Sequence, residues 1–299
     1  MDVRYFIKVF LLFFLLNACN KKEKIYSENG VLLREENYDN DGLLHGITIH
    51  YFETGQIKAK IPFNHGVRDG KEIVYDSIGN VKIIYTHNNG NLDTIKSYSI
   101  TGKLISLIYM KESEFYEKSF FDNGNKRGEG FLDKDTELKK GWWRYFNDDG
   151  SLFSDIEYLN INNEEYANQV IEYDNSGNKN NEKSSYYNLI FPDTTIKGRI
   201  VKGVFNLNTY LSKDEDFYEV FFNIQDEEGN TIFKDTTFGQ NEKAAIIDYR
   251  PKKVGKFKLN GIALERGYNI EPSKEDSTML KVDYLSRRIY FEKPFVVVE

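Results

Sequence analysis

Short runs of alternating apolar and polar residues cover the first two-thirds of the chain, and polar turns that end in glycine separate them. In one clear copy, the run Gly46–Tyr51 leads through a polar turn to Gly55, and an alternating run resumes at Gln56. Two alternating runs on either side of a turn of this length predict a β-hairpin. The glycine that closes the turn is the residue best able to take a positive φ there.

The hairpin pattern recurs. Seven pairs, each an aromatic residue with a glycine four positions later, recur at nearly regular intervals, and their successive glycines are 22 to 27 residues apart. A period in this range is typical of an array in which each unit is one supersecondary element. We therefore predict an all-β fold in which residues 26–177 form an elongated array of β-hairpin repeats. The repeat-structural pairs are Tyr26/Gly30, Tyr51/Gly55, Tyr75/Gly79, Tyr98/Gly102, Phe120/Gly124, Phe146/Gly150 and Tyr173/Gly177.

The pattern changes near residue 178. Residues 178–185 contain no apolar side chain, which predicts a linker. Beyond the linker, seven strand-like runs separated by turn signals predict an immunoglobulin-like β-sandwich over residues 186–299. These runs are 186–191, 195–207, 217–225, 231–233, 244–249, 257–266 and 280–298.

The copy at residues 141–152 resembles the MORN-repeat variant found in bacterial envelope proteins and in proteins labelled YwqK-type antitoxins. It has the family's glycine, an aromatic residue two positions on at Trp143, paired aromatics, an acidic turn and a second glycine. Two earlier copies replace that aromatic by Thr48 and Glu72. The resemblance covers residues 26–177. It implies a curved sheet used for interaction and no catalytic residues.

The amino terminus has the parts of a secretory signal: a short basic start, the apolar run 9–16 and a small residue before Cys19. The apolar stretch is shorter than the roughly 20 residues that a membrane span needs. Residues 16–19 also resemble the bacterial lipoprotein box, in which the cysteine is lipidated. We expect residues 1–18 to be a lipoprotein signal peptide and Cys19 to carry lipid, with residues 19–25 as a short tether. The tether does not resemble an acidic surface-export tag, which favours the outer membrane facing the periplasm.

Cysteine usage and charge exclude several classes of site. Beyond the anchor residue Cys19 the chain has no cysteine, which excludes an intramolecular disulfide, a Cys nucleophile and a Cys-ligated zinc site. The net charge of −7 argues against a nucleic-acid partner, which requires basic patches. With 21 Tyr and 22 Phe, the chain should build its core largely from aromatic rings.

The four histidines, His45, His50, His65 and His87, all lie in the early repeats and raise a metal hypothesis. No two of them have the i, i+4 spacing of a hydrolytic zinc site on a helix, so we expect no metal site. Acidic clusters are interpreted as solvated turn residues. Gly-X-Ser-X-Gly, Walker-type and dinucleotide-binding motifs are absent from the sequence. We therefore predict no catalytic residue and no cofactor.

One strand carries aromatic residues on both faces: Trp142, Trp143, Tyr145 and Phe146 follow one another with a single interruption. A strand with one buried face should alternate. Either both faces are covered, or one presents rings for binding. By the family register Trp143 is the structural aromatic, so Trp142, together with Tyr145, is the candidate binding residue. An exposed aromatic row would suit a glycan or a partner strand.

These observations predict a non-enzymatic, lipid-anchored envelope protein that binds or scaffolds a protein partner through its repeats. Two alternatives stay open at this point. One is a carbohydrate-binding or carbohydrate-processing accessory lipoprotein, and the other is an antitoxin-like or immunity-like protein. The molecule that co-purifies with the chain would distinguish them.

Overall fold

The computed structural model describes residues 21–208, 217–240, 244–272 and 280–299, and every regular element in this part of the chain is a β-strand. The predicted signal peptide and Cys19 lie outside the described residues. Nowhere in the described ranges is there a helix long and apolar enough to cross a membrane. The chain forms two compact units, which divide between Asp135 and Thr136, except that Asp148–Gly150 belongs with the first.

The first unit is an antiparallel meander in which strands pair in chain order, with β5 as a two-residue side strand on β4. This order confirms the predicted hairpin array. Its strands are β1 (Lys21–Tyr26), β2 (Leu32–Tyr38), β3 (Gly46–Tyr51), β4 (Ile57–Asn64), β5 (Val67–Arg68), β6 (Gly70–Tyr75), β7 (Val81–Asn88), β8 (Asn91–Tyr98), β9 (Leu104–Lys111), β10 (Glu114–Phe120) and β11 (Lys126–Leu132).

The aromatic–glycine pairs form hairpin turns with a bulge. Tyr51 pairs with Ile57 across a register shift, and the N–H of Gly55 donates to the carbonyl of Phe52 at 2.9 Å. Gly55 has a φ of 88°, which closes a three-residue hairpin loop of the type I plus bulge kind. All seven repeat glycines take a positive φ, as predicted: Gly30, Gly55, Gly79, Gly102, Gly124, Gly150 and Gly177, between 77° and 93°.

The second unit begins with three antiparallel strands, β12 (Lys139–Phe146), β13 (Leu152–Ile161) and β14 (Glu164–Glu172). Two sheets follow, one in the order β15-β17-β20 and one in the order β16-β22-β21-β18-β19. They form the predicted immunoglobulin-like sandwich. Its strands are β15 (Tyr186–Ile190), β16 (Thr194–Ile196), β17 (Val201–Asn208), β18 (Phe217–Gln225), β19 (Thr231–Gln240), β20 (Ala245–Tyr249), β21 (Gly255–Pro272) and β22 (Leu280–Val298).

The run 195–207 was predicted as one strand, and this was wrong. It breaks at Gly198, which has a φ of 79° and donates its N–H to the carbonyl of Pro251 at 2.8 Å. The break lets β16 join one sheet, where it pairs parallel with β22, while β17 joins the other. The residues predicted as one strand are therefore divided between the two sheets of the sandwich.

The sandwich has one continuous hydrophobic core that is rich in aromatic rings. Phe205 is fully buried, its ring centroid 5.3 Å from that of Tyr187 and 4.9 Å from that of Phe291. Strand β20 shows the expected alternation, with Ala245, Ile247 and Tyr249 buried. The predicted aromatic core is found here rather than in the first unit.

Residues 178–185, predicted as a linker, fall within the second unit. Ser184 and Ser185 are fully buried, and Ser185 exchanges two backbone hydrogen bonds with Val170, at 2.7 and 2.8 Å. The seventh aromatic–glycine pair forms its turn, but the returning segment pairs only through isolated bridges at Lys179 and Ser185. Which boundary governs independent folding stays a prediction for limited proteolysis.

Candidate functional site: the Trp142 face and its cleft

The two tryptophans of β12 lie on opposite faces of the strand. Trp143 pairs with Ile156 and is 2% exposed, whereas Trp142 pairs with Glu157 and is 45% exposed. Neighbouring residues of a strand point to opposite sides of the sheet, so one face of this hairpin is closed and the other is open. This is the arrangement that the repeat register indicated.

Tyr145 belongs to the closed face, two residues after Trp143. Its ring stacks on Trp143 with centroids 6.2 Å apart, and its hydroxyl lies 3.0 Å from the hydroxyl of Tyr158. Burial, aided by the hydrogen bond with Tyr145, raises the pKa of Tyr158 above its ordinary value. The structure therefore does not bring Trp142 and Tyr145 together, although the sequence suggested both as binding residues.

The open face is ordered by charge pairing. Arg144 holds Asp155 with two bonds, Nε to Oδ1 at 2.9 Å and the second guanidinium nitrogen to Oδ2 at 3.1 Å. Tyr173, the aromatic of the seventh pair, donates its hydroxyl to Asp155 Oδ2 at 2.9 Å. Strand alternation adds Phe153, which is about as exposed as Trp142. Two exposed rings thus stand on either side of a fixed ion pair.

Glu157, the cross-strand partner of Trp142, also lines a cleft of about 430 Å³ within the second unit. The lining combines carboxylates, amides and aromatic rings. Burial, with the carboxylates of Glu157 and Glu292 nearby, raises the pKa of Tyr187 to about 12. The lining includes Glu157, Asn168, Tyr187, Asn260, Tyr290 and Glu292.

One buried amide sets the shape of this cleft. Asn168 bulges out of the β13–β14 ladder, and its side chain contacts the backbone of Tyr290 as a strand would. Its Oδ1 accepts from the N–H of Tyr290 at 2.7 Å, and its Nδ2 donates to the carbonyl of the same residue at 2.9 Å. The same Nδ2 donates to Glu157 Oε2 at 2.7 Å. Asn168 therefore ties β14 to β22 and orients the carboxylate at the cleft.

The arrangement is suited to non-covalent binding. Clefts with apolar walls and a few oriented polar groups are the usual binding sites of proteins, and an exposed Trp supplies contact area at interfaces. Trp142 and Glu157 share a face because directly opposed cross-strand residues do. A sequence signal for the cleft itself was absent, since its walls come from strands more than 100 residues apart.

Three side chains with metal-ligating atoms meet in the first unit. Asp39, His45 and His65 place one such atom each within 4.8 Å of the others. Helical spacing could not have found them, because hairpin pairing brings turn residues 20 and 26 positions apart into contact. They could have been found by comparing residues about one repeat length apart in the sequence, because such residues lie in equivalent turns of neighbouring hairpins.

A family model described as MORN repeat variant matches residues 20–40 and 44–65. These stretches contain the copies built around Gly30 and Gly55. No curated protein matches the chain. The matches support a MORN-repeat protein, and such repeats suggest a binding or scaffolding role.

Proposed function

We propose that this chain is a non-enzymatic binding or scaffolding protein, anchored by a lipid on Cys19 to the outer membrane of a bacterial envelope and facing the periplasm. It holds a protein partner through the Trp142 face. The observation that carries the proposal is the pairing of an exposed Trp142 with a buried Trp143 on one hairpin of a repeat array. Trp and Arg side chains account for much of the energy at protein interfaces, and Trp142 and Arg144 share this face.

Placing a photo-crosslinking residue at position 142 in living cells tests the binding surface. We expect irradiation to produce a discrete adduct with an envelope protein. The matched control is Ile100, which is 76% exposed at the tip of another repeat turn. Adducts of equal yield at both positions, or none at position 142, would refute the proposed surface.

The anchor is tested separately. Several acyl chains hold a protein firmly at a membrane, because each buried methylene contributes about 0.8 kcal/mol. Cells fed a fatty-acid analogue should label the wild-type chain and leave Cys19→Ala unlabelled and unprocessed. Equal labelling of the two chains would remove the lipid anchor from the proposal without touching the Trp142 face.

A further inference from the structure

Asp39, His45 and His65 form a compact cluster at one edge of the first unit. Asp39 opens the turn after β2, His45 immediately precedes β3, and His65 lies in the turn between β4 and β5. His65 Nδ1 is 2.7 Å from Asp39 Oδ2, and the two imidazole centroids are 4.8 Å apart. His65 is exposed while the other two side chains are half-buried, so the cluster is open to solvent on one side.

The next repeat shows that the turn does not need these imidazoles. His65 and Gly66 occupy the two positive-φ positions of their turn, and Asn89 and Gly90 occupy them 24 residues later, with φ values of 46° for His65 and 47° for Asn89. The N–H of His65 lies 3.4 Å from His45 Nδ1, and the N–H of Asn89 donates to Asp69 Oδ1 at 3.2 Å. Asp69 and Asn89 therefore form in this turn the contact that His45 and His65 form in the earlier one. The turn geometry does not require either histidine.

The Asp39 carboxylate also has no asparagine partner of the kind found in three similar turns. In the turns that begin at Asp76, Asp174 and Asp226, Oδ2 accepts from the amide of an asparagine four residues on, at 3.2, 3.4 and 3.2 Å. At Asp39 that position is Leu43, which has no side-chain donor. Asp39 Oδ1 still accepts from the N–H groups of Asp41 and Leu43, so the carboxylate is held in place while Oδ2 faces His65.

We propose that Asp39, His45 and His65 bind one late first-row divalent metal ion, of which Zn²⁺ fits best, with water completing the coordination. Two imidazoles and a carboxylate are a ligand set typical of open zinc sites. Zn²⁺ bonds of about 2.0–2.1 Å in tetrahedral geometry separate ligand atoms by roughly 3.3 Å. To reach this spacing, the 2.7 Å contact between His65 and Asp39 has to open, and ligand atoms that are now up to 4.8 Å apart have to move closer.

The proton balance is simple. Without metal, the neutral His65 ring can carry its one proton on Nδ1 and donate it to Asp39 Oδ2; when the ion binds Nδ1, that proton moves through solvent to Nε2 of the same ring. Each imidazole then binds in the neutral form with its single proton on Nε2. The backbone bonds to Asp39 Oδ1 act as the outer shell that orients a ligating carboxylate. The bound ion would cross-link the turn after β2 to the turn after β4.

Titration of the full chain with Zn²⁺ in detergent tests the site. We expect saturable binding of one ion per chain by calorimetry, and visible absorption of a four-coordinate site when Co²⁺ is used instead. His65→Asn is the matched variant, because it recreates the Asn–Gly turn found at Asn89. It should weaken Zn²⁺ binding at least about tenfold, since loss of an outer-shell group alone costs 10–100-fold.

Two further variants separate a metal site from adventitious binding. Leu43→Asn restores the asparagine that satisfies the carboxylate in the other turns, so it should also weaken Zn²⁺ binding. His50→Gln removes a histidine outside the cluster and should leave the affinity unchanged. The metal-free melting temperature of His65→Asn should match that of the parent, which excludes misfolding. Equal Zn²⁺ affinity in the parent and His65→Asn, or no saturable binding by the parent, would overturn the proposal.

Discussion

The repeats and the sandwich bury very different side chains. Among its described residues, the sandwich has a core of seventeen buried apolar residues in one cluster. In the described part of the first unit, the buried apolar side chains are only Ala59, Ile61 and Leu132, and polar ones are buried beside them: Glu36, Thr48, Glu72, His87 and Ser119. A sandwich collapses around one core, whereas an array is stabilised by each hairpin's contacts with its neighbours. Few large apolar groups are then needed at any point.

One register position shows the contrast within the repeats themselves. In three copies a glycine stands at the start of the first strand, and the residue two positions later is buried whether it is Thr48, Glu72 or Trp143. At Glu72, the Arg68 guanidinium and His87 Nε2 lie 3.2 and 3.3 Å from the buried Oε2, but that oxygen accepts no hydrogen bond from them. Only the copy with Trp143 fills this position with an aromatic ring. Backbone register, rather than side-chain hydrophobicity, therefore decides what is buried in the array.

The largest expected effect is on the sandwich core. Phe205→Ala removes a ring that contacts Tyr187, Tyr218 and Phe291, and should cost about 3–5 kcal/mol of unfolding free energy, at the upper end because both sheets lose contacts. Hydrogen exchange should show lost protection throughout the second unit and unchanged protection in β3 to β10. Parallel loss in both units would show that they unfold as one, and the contrast between them would fail.

A smaller loss of unfolding free energy is expected when Trp143, the buried ring of the copy at residues 141–152, is removed. Trp143→Ala should cost about 3–5 kcal/mol, towards the lower end because a hairpin can relax around the cavity. Trp142→Ala is the matched control on the other face, and should change stability by no more than about 0.5 kcal/mol. Denaturant melts of the two variants would test this. A greater loss for Trp142→Ala would reverse the face assignment.

The hairpins could be predicted from sequence because their turns are local. A positive-φ glycine four residues after an aromatic, as at Gly55, encodes the loop and its bulge within a few positions. Alternation likewise placed Trp142 and Trp143 on opposite faces, and the family register indicated which of the two is structural. The break at Gly198 was missed, because the choice between two sheets depends on a partner at Pro251 that is distant in sequence. Lipidation of Cys19 stays a prediction from the sequence alone.

The candidate site was less predictable than the fold. The sequence pointed to Trp142, but the cleft beside it depends on Asn168 reaching the backbone of Tyr290, 122 residues away. The meeting of His45 and His65 likewise follows from pairing between hairpins. Periodicity shows which residues share a face; it does not show which side chains of different hairpins meet.

The next effect in size concerns Asn168, whose bonds join the last repeat hairpin to β22. Asn168→Ala leaves the N–H and carbonyl of Tyr290 without their partner, at about 1–3 kcal/mol for each buried group. Thermal unfolding should show the loss in the transition of the second unit. Asn188→Ala, at an exposed position of β15, is the matched control and should be near neutral. Equal effects would mean that water replaces the lost bonds.

The smallest effects concern a turn that both regions share. Asp76 in the repeats and Asp226 in the sandwich each accept a backbone N–H and a side-chain amide from an asparagine four residues on, Asn80 and Asn230. Partial burial pushes the pKa of each carboxyl upward, but these hydrogen bonds outweigh it and hold the pKa below its ordinary value. The two regions differ in core yet use one turn chemistry.

Stability should therefore depend on acid in the same way in both regions. A carboxyl whose pKa is lower in the folded state stabilises the protein above its unfolded pKa, about 3.9, and this stabilisation is lost as the pH falls through the folded value. Asp76→Asn and Asp226→Asn keep a side-chain acceptor in the turn but cannot titrate. Each variant should melt slightly below wild type at pH 7, and the difference should shrink as the pH falls below about 4. Hydrogen exchange at the two turns would assign each change to its region. If only Asp226→Asn responds, the turn chemistry contributes to stability only where a packed core holds it in place, and the repeats are stabilised by strand pairing alone.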